Sequence, residues 1–458
     1  MDPQRENLPG RLFGTSGIRG LVNREITPFL TLDVGLSLAM RTRSGRIAVG
    51  TDTRISGPML ANALVSGLIA GGCEVQELGI VPTPVLAYLT RSLGASAGVM
   101  VTASHNPPEY NGIKLFNGNS MSFTVQQQFE IEKLLQERNF VHEPWDKLGR
   151  TTVLAETARY IQEIARNVNF RKHWRVVLDP GCGATYDVAP RVFSQIGCKI
   201  NSMNAQPDGN FPGRSPEPSP ENIKDLCAFV RESGADVGFA YDGDGDRFTV
   251  VGEDGVALSL DQVLAAYAMH LTKKKGGGLV VTTVEASMMV EEAVRSVGGE
   301  IERTAVGDVN VAASVHDHKA IFGGEPCGAW IHPEQHFAPD GILSSLLFLK
   351  ALDDMRLSAS EFVGSMPRYA TIRGKFNCPN ERKTDVMTRI AKLLPPSFPG
   401  ILGEESTDGL RFVLEEGWIL VRPSGTEPLL RMTVEAKTAS IAKEIYRLAN
   451  KVIGEIIQ

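Results

Sequence analysis

What this chain lacks narrows its reading first. No stretch approaches the roughly 18 consecutive apolar residues of a membrane span, so no membrane partner is expected. The N-terminal MDPQRENLPGRLFG has no apolar signal core, which argues against secretion. Cys73, Cys182, Cys198, Cys227, Cys327 and Cys378 include no CxxC pair, so neither a zinc site nor a disulfide framework is expected, and the thiols read as reduced and cytoplasmic. There is no basic excess either: 47 Lys and Arg against 53 Asp and Glu leave a net charge of -6. Nucleic acid is therefore not an expected partner, because its binders carry a strongly basic face.

What is present is ordinary globular material, 458 residues with 42% hydrophobic and 22% charged. At about 150 residues per domain this predicts three or four domains, with boundaries read at 1–150, 151–254, 255–366 and 367–458. The division rests on a recurring unit. RIAVGTD (Arg46 to Asp52) reads as a strand, Ser56 to Ala70 as a helix, and GGCEVQELG as a glycine-led second strand. The same order returns in RVVLDPG, a helix around Tyr186 to Gln195, and IGCKINSMN, then in LVVTTVEA, a helix through Val297, and GGEIERTAVG. Three copies predict three similar α/β domains with parallel strands and right-handed crossovers. The Pro-rich run from Asp208 to Pro220 reads as an extended surface loop. After about Pro367 the pattern becomes strand, helix, hairpin, strand and an amphipathic helix carrying Ile441, Ile445, Leu448, Val452 and Ile456, a small α+β domain.

Six loops carry the candidate chemistry. In VMVTASHNPPEYNGIKLF, a strand ends in a rigid turn that presents Ser104 beside His105, with Lys114 ten residues on. A hydroxyl, an imidazole and an ammonium suit nucleophilic or phosphoryl chemistry, although a serine before Asn-Pro also serves as a plain turn former. Ahead of it, FGTSGIRG offers backbone amides and Arg19 as an anion cradle. In YDGDGDRF, Asp242, Asp244 and Asp246 alternate with glycines that let the loop curl around a divalent cation, with Arg247 beside it. An EF-hand is disfavoured because its sixth position is Arg247 and the flanks read as strands. The third domain carries TAVGD and FGGEPCGAWIHP, where Glu325 is a candidate acceptor for sugar hydroxyls. RPSGTEP, near the C-terminus, gathers a guanidinium and two hydroxyls suited to a phosphate monoester.

FGTSGIRG, TASHNP, DGDGDR, a GExxG loop and RPSGTEP, in this order, make the whole chain resemble the α-D-phosphohexomutase superfamily, most closely its phosphoglucosamine mutases, with phosphomannomutase/phosphoglucomutase as near relatives. The resemblance implies three similar α/β domains with mixed sheets plus a mobile fourth, heart-shaped around one cleft. It implies an intramolecular phosphotransferase interconverting glucosamine 6-phosphate and glucosamine 1-phosphate, with a phosphoryl group on Ser104 and a hexose bisphosphate as primer and intermediate. Ser104, Asp242, Asp244 and Asp246 would hold one Mg²⁺. Thr304, Gly307, Asp308, Glu325, Cys327, Arg422, Ser424, Gly425, Thr426 and Arg431 form the candidate substrate-binding set; Arg19, His105, Lys114 and His332 join Ser104 as candidate catalytic residues. Lys114 is the expected general base, its pKa lowered by a neighbouring cation. The family's sugar-loop histidine is absent, and His332 is the candidate substitute. The partners expected are a hexose or hexosamine phosphate, with monomer or homo-oligomer left open. A Mg-dependent sugar phosphatase and a catalytically silent sugar-sensing protein are the alternatives.

Overall fold

The computed structural model describes residues 12–166, 168–424 and 428–457. Its first sheet has six strands in the spatial order Ile18–Leu21, Tyr110–Asn117, Ala97–Val101, Arg46–Thr51, Glu74–Ile80, Thr151–Val153. Ala97–Val101 is buried at every residue, which is why it reads as a continuous apolar run rather than an alternating one. The last strand starts at residue 151, so this sheet reaches past the boundary expected at 150.

All three copies of the recurring unit end in a parallel pair: Arg46–Thr51 with Glu74–Ile80, Arg175–Asp179 with Lys199–Ser202, and Gly278–Thr283 with Gly299–Thr304. Antiparallel neighbours make each sheet mixed. Helix starts differ from the expected ones by a residue or two. The first begins at Gly57, and the second at Val188 after a 3₁₀ turn at Ala184–Tyr186.

One buried cluster spans the first three domains, beside smaller cores that each keeps for itself. Leu86 and Leu89, Phe193 and Phe239, and Tyr267 and Phe322 belong to a single buried cluster. Phe239 meets Phe348 edge-on at 6.4 Å, and Phe248 meets Trp330 at 4.8 Å, joining the second domain to the third. The C-terminal domain is separate. Its five-stranded sheet, ordered Ala370–Asn377, Leu429–Ala436, Gly417–Pro423, Leu410–Leu414, Gly403–Glu405, is backed by Lys383–Leu393 and Ala439–Ile457 around its own core. A small apolar cluster of Val284, Trp418 and Leu420 joins it to the third domain.

The Pro-rich run lies at the surface only in part: Asn210, Pro212, Gly213 and Ser215 are exposed, but they alternate with residues turned inward. Phe211, Arg214, Pro216 and Pro218 are buried, and the Arg54 guanidinium lies 5.1 Å from the Phe211 ring centre. Arg214 pins the run by donating to Asp179 Oδ2 at 2.7 Å and to the Tyr241 carbonyl at 2.6 Å. Buried hydrogen bonds decide the path here, where composition spoke only for solvent. No helix among the described residues is long and apolar enough to cross a membrane.

Candidate active site

Two strands aim the centre of the site. Ala97–Val101 delivers the TASHNP loop, and the antiparallel pair Val237–Tyr241 and Phe248–Val251 closes on DGDGDR as its hairpin turn. These strand flanks exclude the EF-hand, whose loop joins helices. Ser104 adopts φ +52°, a left-handed conformation that costs a non-glycine residue about 1–3 kcal/mol.

Arg54 sustains that conformation. Its guanidinium donates to the carbonyls of Ser104 (2.9 Å), Asn106 (2.6 Å), Pro107 (2.5 Å) and Tyr110 (2.9 Å), and to Asp52 Oδ2 at 3.0 Å. Asp52 also accepts from Thr102 Oγ1 at 2.6 Å, and Thr102 accepts in turn from the Ser104 amide. The side chains of Arg54, Asp52, Thr102 and Ser104 are buried and paired, the condition under which a buried charge is tolerated.

Across the domain boundary, the Ser104 hydroxyl donates to Asp242 Oδ2 at 2.6 Å. Gly243 permits the approach: a Cβ there would lie 2.5 Å from the Ser104 carbonyl oxygen. Asp242 Oδ1 accepts from the Gly245 and Arg247 amides, which curls the loop. One oxygen from each of Asp242, Asp244 and Asp246 lies within 4.8 Å of the other two. Asp244 Oδ1 and Asp246 Oδ1 are buried without a hydrogen-bond partner. Three hard oxygen donors with unsatisfied buried lone pairs fit a divalent cation that takes oxygen ligands at about 2.0 to 2.6 Å.

Lys114 stands on this triad, its ammonium 2.7 Å from Asp244 Oδ2 and 2.5 Å from Asp246 Oδ2. Burial alone lowers it, but the two carboxylates outweigh that and hold it above the ordinary lysine value. The lowering expected of Lys114 from a neighbouring cation is not seen: the groups in contact with it are the two carboxylates. The carboxylates divide accordingly. Burial and the neighbouring aspartates raise Asp242 and Asp246, whereas Lys114 and a 2.5 Å bond from Thr83 overcome burial at Asp244 and lower it. His105 Nδ1 is 3.1 Å from Ser104 Oγ, and burial together with Arg247 and Arg19 pushes its imidazole down to about 2. Arg19 donates to Asn106 Oδ1 at 3.2 Å, so it braces the same turn.

The third domain meets this centre through TAVGD. Gly307 has φ +122°, and a Cβ there would lie 3.1 Å from the Thr15 carbonyl oxygen, so the loop abuts FGTSGIRG closely. Its amide donates to Glu325 Oε2 at 3.1 Å, and Asp308 accepts from Ser122 Oγ at 3.1 Å. Burial and Asp308 push the Glu325 carboxyl up to about 7, and burial pushes the Cys327 thiol up to about 12. Thr304 gives its hydroxyl to the Ala305 carbonyl. In the fourth domain, Arg422 reaches Glu285 at 2.8 Å and Asp408 at 2.7 Å, and Lys383 donates to the Ser424 carbonyl at 2.5 Å. Arg431 lies opposite Arg422 on one side and Lys375 on the other, a basic row across three strands. Gly425 and Thr426 lie outside the described residues.

Four descriptions from one family cover nearly the whole chain. Phosphoglucomutase/phosphomannomutase alpha/beta/alpha domains I, II and III match residues 10–142, 158–255 and 259–369, and the C-terminal domain matches 375–448. The chain belongs to the phosphoglucomutase/phosphomannomutase family. It is similar to a protein named probable phosphoglucosamine mutase from Methanothermobacter thermautotrophicus, at 43% identity over 99% of this chain and 100% of that one. A protein of the same name from Pyrococcus abyssi is 41% identical over 98% of this chain and 99% of its own. Among solved structures, a phosphoglucomutase/phosphomannomutase family protein from Burkholderia thailandensis matches with a TM-score of 0.87 and 27% identity, covering 100% of this chain and 98% of that one. The chain is thus a phosphohexomutase of the isomerase class, built from that family's three alpha/beta/alpha domains and its C-terminal domain.

Within this family's site, one expected residue is misplaced and several were missed. His332 is buried against Tyr267 and Phe322 with Nε2 on Ser344, and burial pushes it down to about 3. None of these partners belongs to the site, so His332 does not stand in for the absent sugar-loop histidine. It is a core residue of the third domain. The missed residues are Arg54, Thr83, Lys375 and Lys383. An Asp-x-Arg directly after the strand RIAVGT was the available signal for Arg54; the other three reach the site only through contacts distant in sequence.

Proposed function

We propose that this family member interconverts glucosamine 6-phosphate and glucosamine 1-phosphate through a phosphorylated Ser104 and a hexose bisphosphate. The observation that carries the reading is the Ser104 hydroxyl, buried and 2.6 Å from the aspartate triad, in a chain 43% identical to a protein named as such a mutase. Mg²⁺ suits the triad, and when bound it would polarise the phosphoryl oxygens of Ser104. Asp242, Asp244 and Asp246 would hold it.

The remaining chemistry belongs to the chain's own residues. A sugar hydroxyl attacks the phosphorus on Ser104; the new P–O bond forms as the bond to Ser104 Oγ breaks and its electron pair returns to the serine. Lys114, Arg19 and Arg247 face the charge that spreads over the phosphoryl group. The hydroxyl proton needs an acceptor matched to neutral pH. We assign it to Glu325, buried, oriented by the Gly307 amide and close to neutrality in its titration. After the bisphosphate turns, the same groups act in reverse. Arg422, Ser424, Gly425, Thr426 and Arg431 hold the phosphate that is not reacting. The six unpaired cysteines suit the reducing cytoplasm.

The test is ³¹P NMR with Mg²⁺ and a trace of hexose bisphosphate, on glucosamine 6-phosphate, mannose 6-phosphate and glucose 6-phosphate in separate tubes. Conversion of glucosamine 6-phosphate ahead of the others, abolished by Ser104→Ala, supports the reading. Preference for another sugar moves the substrate to the phosphomannomutase/phosphoglucomutase alternative. Release of inorganic phosphate alone overturns the mutase mechanism in favour of a phosphatase.

A further inference from the structure

Arg422 is the guanidinium of the proposed phosphate loop, yet both its terminal nitrogens end on carboxylates of this same chain. One donates to Glu285 Oε1 at 2.8 Å and the other to Asp408 Oδ2 at 2.7 Å. Glu285 lies in the third domain, in the turn after the strand Gly278–Thr283, so its ion pair crosses to the fourth. Asp408 has a second tie, since its Oδ2 also accepts from the Val306 amide at 3.1 Å. Among the described residues Arg422 Nε is buried with no partner.

A guanidinium offers a planar fork that a carboxylate and a phosphate oxygen pair fill in the same way. A phosphate arriving at Arg422 therefore meets a fork already filled and two negative charges beside it. It gains the fork by displacing a carboxylate. Asp408 is tethered by Val306, whereas Glu285 is about one-third exposed and has Arg422 as its one hydrogen-bond partner among the described residues. Glu285 is the one free to leave.

We propose that Glu285 is a positioning residue that competes with the substrate's phosphate for Arg422. This rests on the reading of Arg422 as a phosphate ligand. The net hold on phosphate is then the difference between two guanidinium–anion pairs. That matters for a mutase: a bisphosphate bound too tightly at its distal phosphate cannot let go and turn, and binding that is uniform through the cycle adds nothing to turnover. Departure of Glu285 also breaks an interdomain ion pair, while return of Glu285 helps expel the phosphate. Arg422 thus alternates between an internal and an external anion.

The experiment measures the dissociation constant of inorganic phosphate by calorimetry for the full chain, Glu285→Gln, Glu285→Asp, Arg422→Gln and the double variant Glu285→Gln/Arg422→Gln, with thermal melting to verify folding. Glu285→Gln is expected to tighten phosphate by about fivefold, the coupling of a partly exposed ion pair, and to lower KM while kcat falls. Glu285→Asp should lie nearer the parent. In the Arg422→Gln background the tightening should vanish. Unchanged or weaker phosphate binding in Glu285→Gln, with Arg422→Gln still weakening it, overturns the competition and leaves the phosphate loop standing. Phosphate affinity untouched by Arg422→Gln overturns the phosphate-loop reading itself.

Discussion

Ser104 and Asp242 lie 138 residues apart in the chain and share a 2.6 Å hydrogen bond across a domain boundary. The serine backbone is left-handed, at φ +52°. Ser104→Ala keeps that conformation without the hydroxyl, whereas Ser104→Gly also relieves it. Both should abolish mutase turnover. In thermal melting Ser104→Gly should nevertheless be the more stable of the two, by about 1 kcal/mol. Equal stability would mean that the loop, not the residue, sets the angle at no cost.

Arg54 makes four donations to loop carbonyls and one to Asp52. Arg54→Lys keeps the charge and loses the fork. Its expected result is a folded protein with kcat reduced at least about tenfold, because a displaced nucleophile is misaligned for in-line transfer. Arg54→Met leaves Asp52 as an uncompensated buried carboxylate and should cost about 3–5 kcal/mol in denaturant unfolding. A silent Arg54→Lys would show that Thr102 and Asp52 suffice to position the loop.

The aspartate triad concentrates negative charge that Lys114 offsets at 2.7 and 2.5 Å and Arg247 at 4.0 Å. Mg²⁺ should raise the melting temperature of the parent, by about 2.7 kcal/mol of stabilisation at a hundredfold excess over its dissociation constant. Asp244→Asn should abolish the shift, and a chelator should abolish turnover reversibly. A melting temperature indifferent to Mg²⁺ would remove the triad as the metal site.

Glu325 is raised from 4.5 to about 7 by burial first and by Asp308 second. A carboxyl raised on folding contributes stability that is fully present below its unfolded value and is lost as pH rises through its folded value. Glu325→Gln should therefore gain stability relative to the parent between pH 5 and pH 8, measured as the difference in melting temperature. If its carboxylate accepts the proton, parent kcat should rise through about pH 7, and the glutamine variant should be about a hundredfold slower. An unaltered pH profile in Glu325→Gln would reassign the proton to another group.

Which parts were legible follows from what each part depends on. The three strand–helix–strand units could be read because buried parallel strands need unbroken apolar runs such as Ile47–Val49. The loops TASHNP and DGDGDR could be read because tight turns restrict residue type locally. Composition misled in the Pro-rich run, where Phe211 and Arg214 turn inward onto Arg54 and Asp179. His332 looked available because its position follows the sugar loop, but its ring packs between Tyr267 and Phe322.

By itself, the order of residues determined the domain repeat, the turn that presents Ser104, the three aspartates and the family they belong to, since each depends on neighbours within a few residues. Tertiary structure decided the rest: that Lys114 faces two carboxylates, that Glu325 sits beside Asp308, that Arg54 clamps four carbonyls, and that Glu285 holds Arg422. These are electrostatic facts, and the state of a charge depends on which groups lie within a few ångströms in space, whatever their separation along the chain.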